Sequence, residues 1–378
     1  METHPEVPYS RQRIYEEDIA AVSEALCRPL ITQGPEVEAF EAALAARVGA
    51  RYAVAFSSGT AALMAATAAL GLEKGSEGIV PSITFAASAT SLIHAGIRPR
   101  IVDVDPHTGL IDLSACEEAI GASTSVIVAV HYAGFPLDME ALGNLARRHS
   151  LALIEDAAHA LGAQRDGSPV GSCVHSDVAV FSFHPVKAIT TGEGGALVTN
   201  DATIAETARR YRHHGIVPTP EVAPWSYDIR ALGINGRITD FQCALGRSQL
   251  RHLDDHIAAR NEIASAYDLE LARIEGIRPA PRPPRGSVHA YHLYPALLDS
   301  EKSRRRAFDM LRAAGIRAQV HYVPLHRLTL FKEVGAPDPA EMRGAEEFYA
   351  RELSLPIFPG LSVDDRNRVV EVLAQAAE

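Results

Sequence analysis

A lysine stands at the end of an apolar, β-rich run: Asp177-Val-Ala-Val-Phe-Ser-Phe-His-Pro-Val-Lys187, followed by Ala-Ile-Thr-Thr-Gly192-Glu-Gly-Gly195. A strand here delivers Ser182, His184 and Lys187 into a loop, and a glycine-rich turn follows. An ammonium taken out of water at such a place loses its solvation, so its pKa falls and the free amine becomes a nucleophile. A Schiff base with an aldehyde cofactor uses that chemistry directly. A second run, Leu151-Ala-Leu-Ile-Glu-Asp156-Ala-Ala-His159, is an apolar strand ending in two acids with a histidine three residues on. Strand alternation points Glu155 and Asp156 to opposite faces, so only one of them reaches a ligand at the sheet edge. A third, Phe56-Ser-Ser-Gly59-Thr60-Ala-Ala-Leu, leads from a strand through small hydroxyl residues into an Ala-rich helix. The exposed N–H groups at that helix start, with the hydroxyls of Ser58 and Thr60, make a phosphate cradle.

Together these features fit pyridoxal 5'-phosphate (PLP). Its ring stores electrons only while the pyridine nitrogen stays protonated, which a facing carboxylate ensures. His159 is placed to stack on the cofactor or to hydrogen-bond it. Read singly, each feature has a plainer explanation: a surface lysine near a turn, an acid capping a helix, a packed histidine, a Ser/Thr cap. No Gly-x-Gly-x-x-Gly follows the first strand and no Gly-Lys-Ser/Thr occurs, which argues against a nicotinamide dehydrogenase and a P-loop enzyme.

The elements that must position these groups alternate from about Arg51 to Asn200. Strands are expected at Tyr52–Phe56, Gly78–Val80, Arg100–Val104, Val126–Val130, Leu151–Glu155, Asp177–Phe183 and Ala196–Thr199, with helices at Gly59–Leu70, Phe85–Ala95 and Met139–His149. That alternation predicts an α/β domain with a mostly parallel sheet. One extended helix is expected over about Phe241–Leu271, then a Pro/Arg-rich loop over Arg278–Gly286. A smaller α+β mixture follows: strands near Tyr291–Leu297 and Arg317–Tyr322, a helix near Arg304–Ala313 and a last helix from Asp364. We divide the chain at residues 10–250, a large cofactor-binding α/β domain, and 251–378, a small C-terminal α+β domain.

Composition sets the outer bounds. With 47% hydrophobic and 22% charged residues, the chain of 378 can bury a large core as a soluble protein. A net charge of −11 argues against nucleic acid or an anionic membrane as partner, while leaving room for a local anion site. Cys27, Cys116, Cys173 and Cys243 show neither disulfide nor metal-ligand spacing, so no metal is expected. The N-terminal METHPEVPYSRQ has no apolar signal core, and no run approaches the ~20 apolar residues of a membrane helix, so a cytoplasmic protein is expected.

The motifs resemble, in order and over nearly the whole chain, the DegT/DnrJ/EryC/StrS sugar aminotransferases of PLP fold type I. The carrying segments are Ile31-Thr-Gln-Gly-Pro, Pro81-Ser-Ile-Thr-Phe85, Val130-His-Tyr-Ala-Gly134, Glu155-Asp-Ala-Ala-His159, Ser182-Phe-His-Pro-Val-Lys187 and Ser354-Leu-Pro356. The resemblance implies Lys187 as Schiff-base lysine, Asp156 as partner of the pyridine nitrogen, and His159 as a contact of the phenolic oxygen. It implies Phe85 stacked on the ring, with Gly59, Thr60 and Ser182 at the phosphate. It also implies a homodimer in which Asn235 of Asn235-Gly236-Arg237 reaches the partner's phosphate. Gly236 departs from the family, which often has an aromatic residue there.

Pro8-Tyr-Ser-Arg-Gln12, Ser182 to Gly195 and Val320-His-Tyr-Val-Pro324 are most similar to the pseudaminic-acid branch of that family. This implies L-glutamate as donor and a UDP-linked 4-keto-sugar as acceptor. Both occupy one site in turn, so a cationic group must serve a carboxylate and a diphosphate. Arg11, Arg237 and His321 are candidates, with Tyr9 and Tyr322 beside them. Three rivals are a sugar dehydratase, which the lysine disfavours, a non-catalytic PLP-binding protein, and a nicotinamide-dependent sugar oxidoreductase.

Overall fold

Valine- and alanine-rich runs covered on both sides form strands, and the computed structural model, which describes residues 5–377, gathers seven of them into one sheet. Met1–His4, the start of the segment read as lacking a signal core, lie outside the described residues. The strands are Tyr52–Phe56, Glu77–Pro81, Arg98–Val102, Thr124–Val130, Ala152–Asp156, Val178–Ser182 and Gly195–Thr199. Their spatial order is 52–56, 195–199, 178–182, 152–156, 124–130, 77–81, 98–102. Only 195–199 runs against its neighbours. The other six therefore end at one edge, and Gly195 begins its strand at that same edge, opposite both Phe56 and Ser182.

Side-chain alternation divides the core. Val54, Phe56, Val180 and Leu197 enter the cluster on one face; Ala53, Ala55, Ala179, Phe181 and Val198 enter the cluster on the other, with Phe40 and Leu44. The helix Gly59–Ala69 lies on the first face and buries Ala61, Ala62, Ala65 and Ala66. Their small side chains let the helix sit close to strands 178–182 and 195–199.

A second sheet is antiparallel, with strands Ile277–Arg278, Tyr294–Leu298 and Glu352–Leu355 flanked by helices Glu301–Ala313 and Val363–Ala377. It has its own apolar cluster around Tyr267, Leu311, Leu353 and Leu373. Leu293, Leu297, Leu325 and Phe348, however, join the core of the large sheet. The two sheets are thus tied by shared packing.

Two expectations are corrected. The stretch 241–271 is two helices, Asp240–Leu250 and Leu253–Leu271. At the break, Arg251 and His252 donate their N–H groups to carbonyls three residues back, and the His252 ring stacks on Tyr15 at 3.9 Å. Arg317–Tyr322 is not a strand: Ile316 bridges Val7 and Gln319 bridges Ser354, each singly. The His321 N–H instead donates to the Glu352 carboxyl at 2.8 Å, so a side chain takes the bond that a ladder would use. Among the described residues all four cysteines are unpaired, no cluster of three metal-ligating side chains occurs, and no helix is long and apolar enough to cross a membrane.

Phe348 is fully buried, edge-on to Tyr132 at 5.5 Å, in the core shared by both sheets. Phe348→Ala should lower stability by about 3–5 kcal/mol, read by chemical denaturation, because it leaves a large cavity where the layers join.

Candidate functional site

The ends of strands 52–56, 77–81, 124–130, 152–156 and 178–182, and the turn before Gly195, supply residues to a cavity of about 400 Å³. Asp156 ends its strand there and is buried. Ser88, the second residue of the helix Ala87–His94, donates to Asp156 Oδ2 at 2.6 Å and holds the carboxylate in one orientation. Glu155 points the other way, to His131 Nε2 at 3.2 Å and the Ser176 hydroxyl. Of the two acids at this strand end, the cavity receives one.

Opposite, strand 178–182 ends at Ser182, and the loop beyond it carries Lys187 into the cavity wall. Burial pushes the Lys187 ammonium down to about 8; the Asp156 charge works against that shift and Arg260 reinforces it. The Lys187 amine lies 3.4 Å from His292 Nε2. Arg260 is itself buried and donates to the carbonyls of Tyr291 and Ile357, each at 2.9 Å. His159 and His292 are also buried, and loss of solvation with Lys187 close by holds both imidazoles well below their ordinary range, hence neutral.

At the third wall, Ser58 caps the helix Gly59–Ala69 by accepting from the Ala61 N–H at 3.1 Å. A Cβ on Gly59 would meet Ser182 Cβ at 2.9 Å, and a Cβ on Gly195 would meet Gly59 N at 2.5 Å. Glycine at both positions lets the helix start, with its free N–H groups, close on Ser182.

Of the residues singled out in the sequence, the cavity brings together Tyr9, Ser58, Gly59, Thr60, Phe85, Asp156, His159, Ser182, Lys187, His321 and Tyr322. It does not bring in three. The Arg11 guanidinium lies 5.4 Å from the Phe358 ring, in a side cleft that reaches Lys187 from the outside. Arg237 holds His213 Nδ1 at 2.8 Å and faces a separate cleft with Arg51, Arg209 and Arg212. Asn235 is bridged to His213 through its backbone. Sequence reading missed Ser88, His292 and Arg260. Ser88 lies three residues beyond Phe85, a one-turn spacing that places both at the same helix start; nothing local in the sequence marks His292 or Arg260.

A model of the DegT/DnrJ/EryC1/StrS aminotransferase family matches residues 12–374. The UDP-4-amino-4,6-dideoxy-N-acetyl-beta-L-altrosamine transaminase of Campylobacter jejuni is 35% identical over 385 residues, covering 98% of this chain and 98% of the relative. The spore coat polysaccharide biosynthesis protein SpsC of Bacillus subtilis is 35% identical over 376 residues, covering 97% and 96%. Among solved structures, Helicobacter pylori PseC, an aminotransferase involved in the biosynthesis of pseudoaminic acid, superposes with a TM-score of 0.92 at 32% identity, covering 98% of this chain and 99% of that one.

Aminotransferases of that family depend on PLP, and the cavity's own atoms fit the group. A helix start with hydroxyls suits a phosphate, a fixed carboxylate suits a protonated ring nitrogen, and an amine that burial makes easier to deprotonate suits an aldehyde. His159 Nδ1 and His292 Nδ1 are buried without a protein partner, which leaves hydrogen-bonding capacity for a ligand.

Capture of PLP needs the unprotonated amine. With the Lys187 ammonium lowered to about 8, the amine fraction rises with pH up to that point and is level above it. The covalent capture rate should therefore climb about tenfold per unit below the bend and flatten near pH 8, as read by stopped-flow absorbance. A rate still climbing towards pH 10 would mean that Lys187 is solvated.

Proposed function

The chain belongs to the DegT/DnrJ/EryC1/StrS aminotransferase family, and from that premise we propose that it carries the amino group of L-glutamate to C4 of a UDP-linked 4-keto-6-deoxy-N-acetylhexosamine. The product in this reading is UDP-4-amino-4,6-dideoxy-N-acetyl-L-altrosamine, on the route to pseudaminic acid. A PLP-dependent nucleotide-sugar aminotransferase is the coarser statement, and it stands on the family itself. The observation that carries the mechanism is the convergence of the buried Lys187 amine and the Ser88-held Asp156 carboxylate on one cavity.

Bound PLP supplies an electron sink that makes the proton on the donor's α-carbon removable. Lys187 anchors the cofactor and then serves as the base that takes that proton and later delivers one to C4 of the sugar. Asp156 keeps the ring nitrogen protonated, and Ser88 keeps Asp156 aimed. The start of helix 59–69, with Ser58, Gly59, Thr60 and Ser182, holds the phosphate. Phe85 covers one ring face, and His159 contacts the phenolic oxygen. In this reading residues 10–250 hold the cofactor, while 251–378 supply the wall of His292, His321 and Tyr322.

Tyr9, His321 and Tyr322 face the space left for donor and acceptor, and Arg11 and Arg237 flank it as sources of charge. We place Asn235 against the phosphate of a second copy in a cytoplasmic homodimer. In support, Asn235 lies outside its own cavity. Val222, Trp225, Tyr227, Ile229 and Leu232 near it are all exposed in the single chain, an apolar surface of the kind a dimer covers. A different nucleotide-linked 3- or 4-keto-sugar is the second reading, favoured by the equal identity to the spore coat polysaccharide protein.

Lys187→Ala should leave PLP bound without a covalent link and abolish transfer. Wild-type-like rates in that variant would remove Lys187 from the mechanism. Asp156→Asn should slow the glutamate half-reaction about 10- to 100-fold, the loss of one charge-assisted hydrogen bond to the ring, while Glu155→Gln should leave it near normal. The reverse ranking would place Glu155 at the ring. Supplied with UDP-4-keto sugars of both configurations, the enzyme should release 2-oxoglutarate from glutamate catalytically with one of them, and no more than one equivalent per site in sugar-free controls.

A further inference from the structure

Beside the cavity, His321 is tied to a carboxyl that the mechanism above does not use. His321 Nδ1 lies 2.9 Å from Ser354 Oγ, and Ser354 Oγ lies 2.5 Å from Glu352 Oε1. Glu352 Oε2 accepts the His321 backbone N–H at 2.8 Å. Glu352 and Ser354 are both fully buried on the last strand of the small sheet, and among the described residues no cation pairs with Glu352. Tyr132 closes the junction by donating to the His321 carbonyl at 2.7 Å. The ring's other nitrogen, Nε2, carries no protein hydrogen bond, on a ring that lines the cavity. We propose that Glu352, Ser354 and His321 form a proton relay that presents His321 Nε2–H to the oxygen of the carbonyl substrate, with Glu352 as the store of the proton.

The proton count closes. Amination replaces a ketone oxygen by nitrogen: the oxygen gains two protons and leaves as water, and the amine that bonds to the carbonyl carbon gives up two. One passes from nitrogen to oxygen as the C–N bond forms; the other is relayed, given to the oxygen by His321 and returned to Nε2 from the nitrogen. His321 Nε2 gives one; Nδ1 takes the Ser354 hydroxyl proton; Ser354 takes the Glu352 carboxyl proton, leaving a carboxylate. A proton taken up later at Nε2 runs the chain backwards and refills the store. Burial pushes the Glu352 carboxyl up to about 8. Burial, with Lys187 nearby, pushes the His321 imidazole down to about 4. At neutral pH the shared proton therefore rests on Glu352, and the hydrogen-bond chain then leaves Nε2 protonated towards the cavity. Lys187, His159, His292, Tyr9 and Tyr322 face His321, and Arg304 and Tyr132 are the groups acting on Glu352. The inference rests on the cavity being the transfer site proposed above. Glu352 and Ser354 are positioning residues, acting only through His321.

The test uses the holoenzyme and its Glu352→Gln, Ser354→Ala and double variants. In histidine-¹⁵N protein, with the His321 signal identified by its loss in His321→Gln, the wild type should change from Nε2–H to Nδ1–H as pH rises through about 8, the point where Glu352 empties. Glu352→Gln should hold one tautomer throughout. Each single variant should lose about 10- to 100-fold in kcat with the keto-sugar, and the double variant no more than either, as expected of one chain. Lys187 titrates in the same range, so its own bend is read from PLP capture, which Glu352→Gln should leave in place. A wild-type His321 that keeps one tautomer across that range overturns the relay, as do single-variant losses that multiply. An unfolded Ser354→Ala is replaced by Ser354→Thr, which keeps the hydroxyl and should restore the tautomer change; failure to do so counts against the relay. A wild type that aminates no keto-sugar would sink the proposed function instead, while the tautomer change could still be read.

Discussion

An amine held out of water within reach of a fixed carboxylate is the interaction on which the rest of this molecule depends. Burial removes the hydration that normally keeps a lysine charged, and the nearby Asp156 restores only part of it. The surroundings preserve that balance. His159 and His292 stay neutral, so the wall adds little charge, and Arg260 opposes protonation of the amine from behind. Ser88 donates to Asp156 and so fixes the direction in which its carboxylate points.

The sheet exists, functionally, to bring those groups to one edge. Parallel strands end together, so residues far apart in sequence, from Ser58 to Ser182, meet without long excursions of the chain. The one reversed strand serves the same end. By starting at Gly195 opposite Phe56 and Ser182, it places a residue without a side chain where the start of helix 59–69 must approach. The loops beside the smaller sheet complete the cavity from the other side with His292, His321 and Tyr322, and the core that sheet shares with the large one ties that wall to it.

The sequence made the large sheet readable because its strands are continuous apolar runs, and each of the seven lies within two or three residues of its expected place. The opposite facing of Glu155 and Asp156 was also legible, since a period of two allows nothing else. The single long helix over 241–271 was misjudged because an Ala/Leu/Arg-rich pattern continues across Arg251–His252; the stacking of His252 on Tyr15 is a tertiary contact that no local pattern carries. The strand expected at Arg317–Tyr322 failed for a related reason: the carboxyl of Glu352, 31 residues beyond His321, accepts the His321 N–H. His292 and Arg260 went unseen because their roles come from burial beside Lys187, and burial of a lone polar residue has no periodicity. Arg11, Arg237 and Asn235 stand outside the cavity, the two arginines in clefts that their neighbours in the fold define and their sequence neighbours do not.

The chain has four lysines, Lys74, Lys187, Lys302 and Lys332, which makes the central claim open to one clean measurement. PLP is added to the purified protein, the link is fixed with sodium borohydride, and the peptides are mapped by mass spectrometry. The account predicts a phosphopyridoxyl group on Lys187 and on no other lysine; an unmodified Lys187, or an adduct on Lys74, Lys302 or Lys332 in its place, would contradict it.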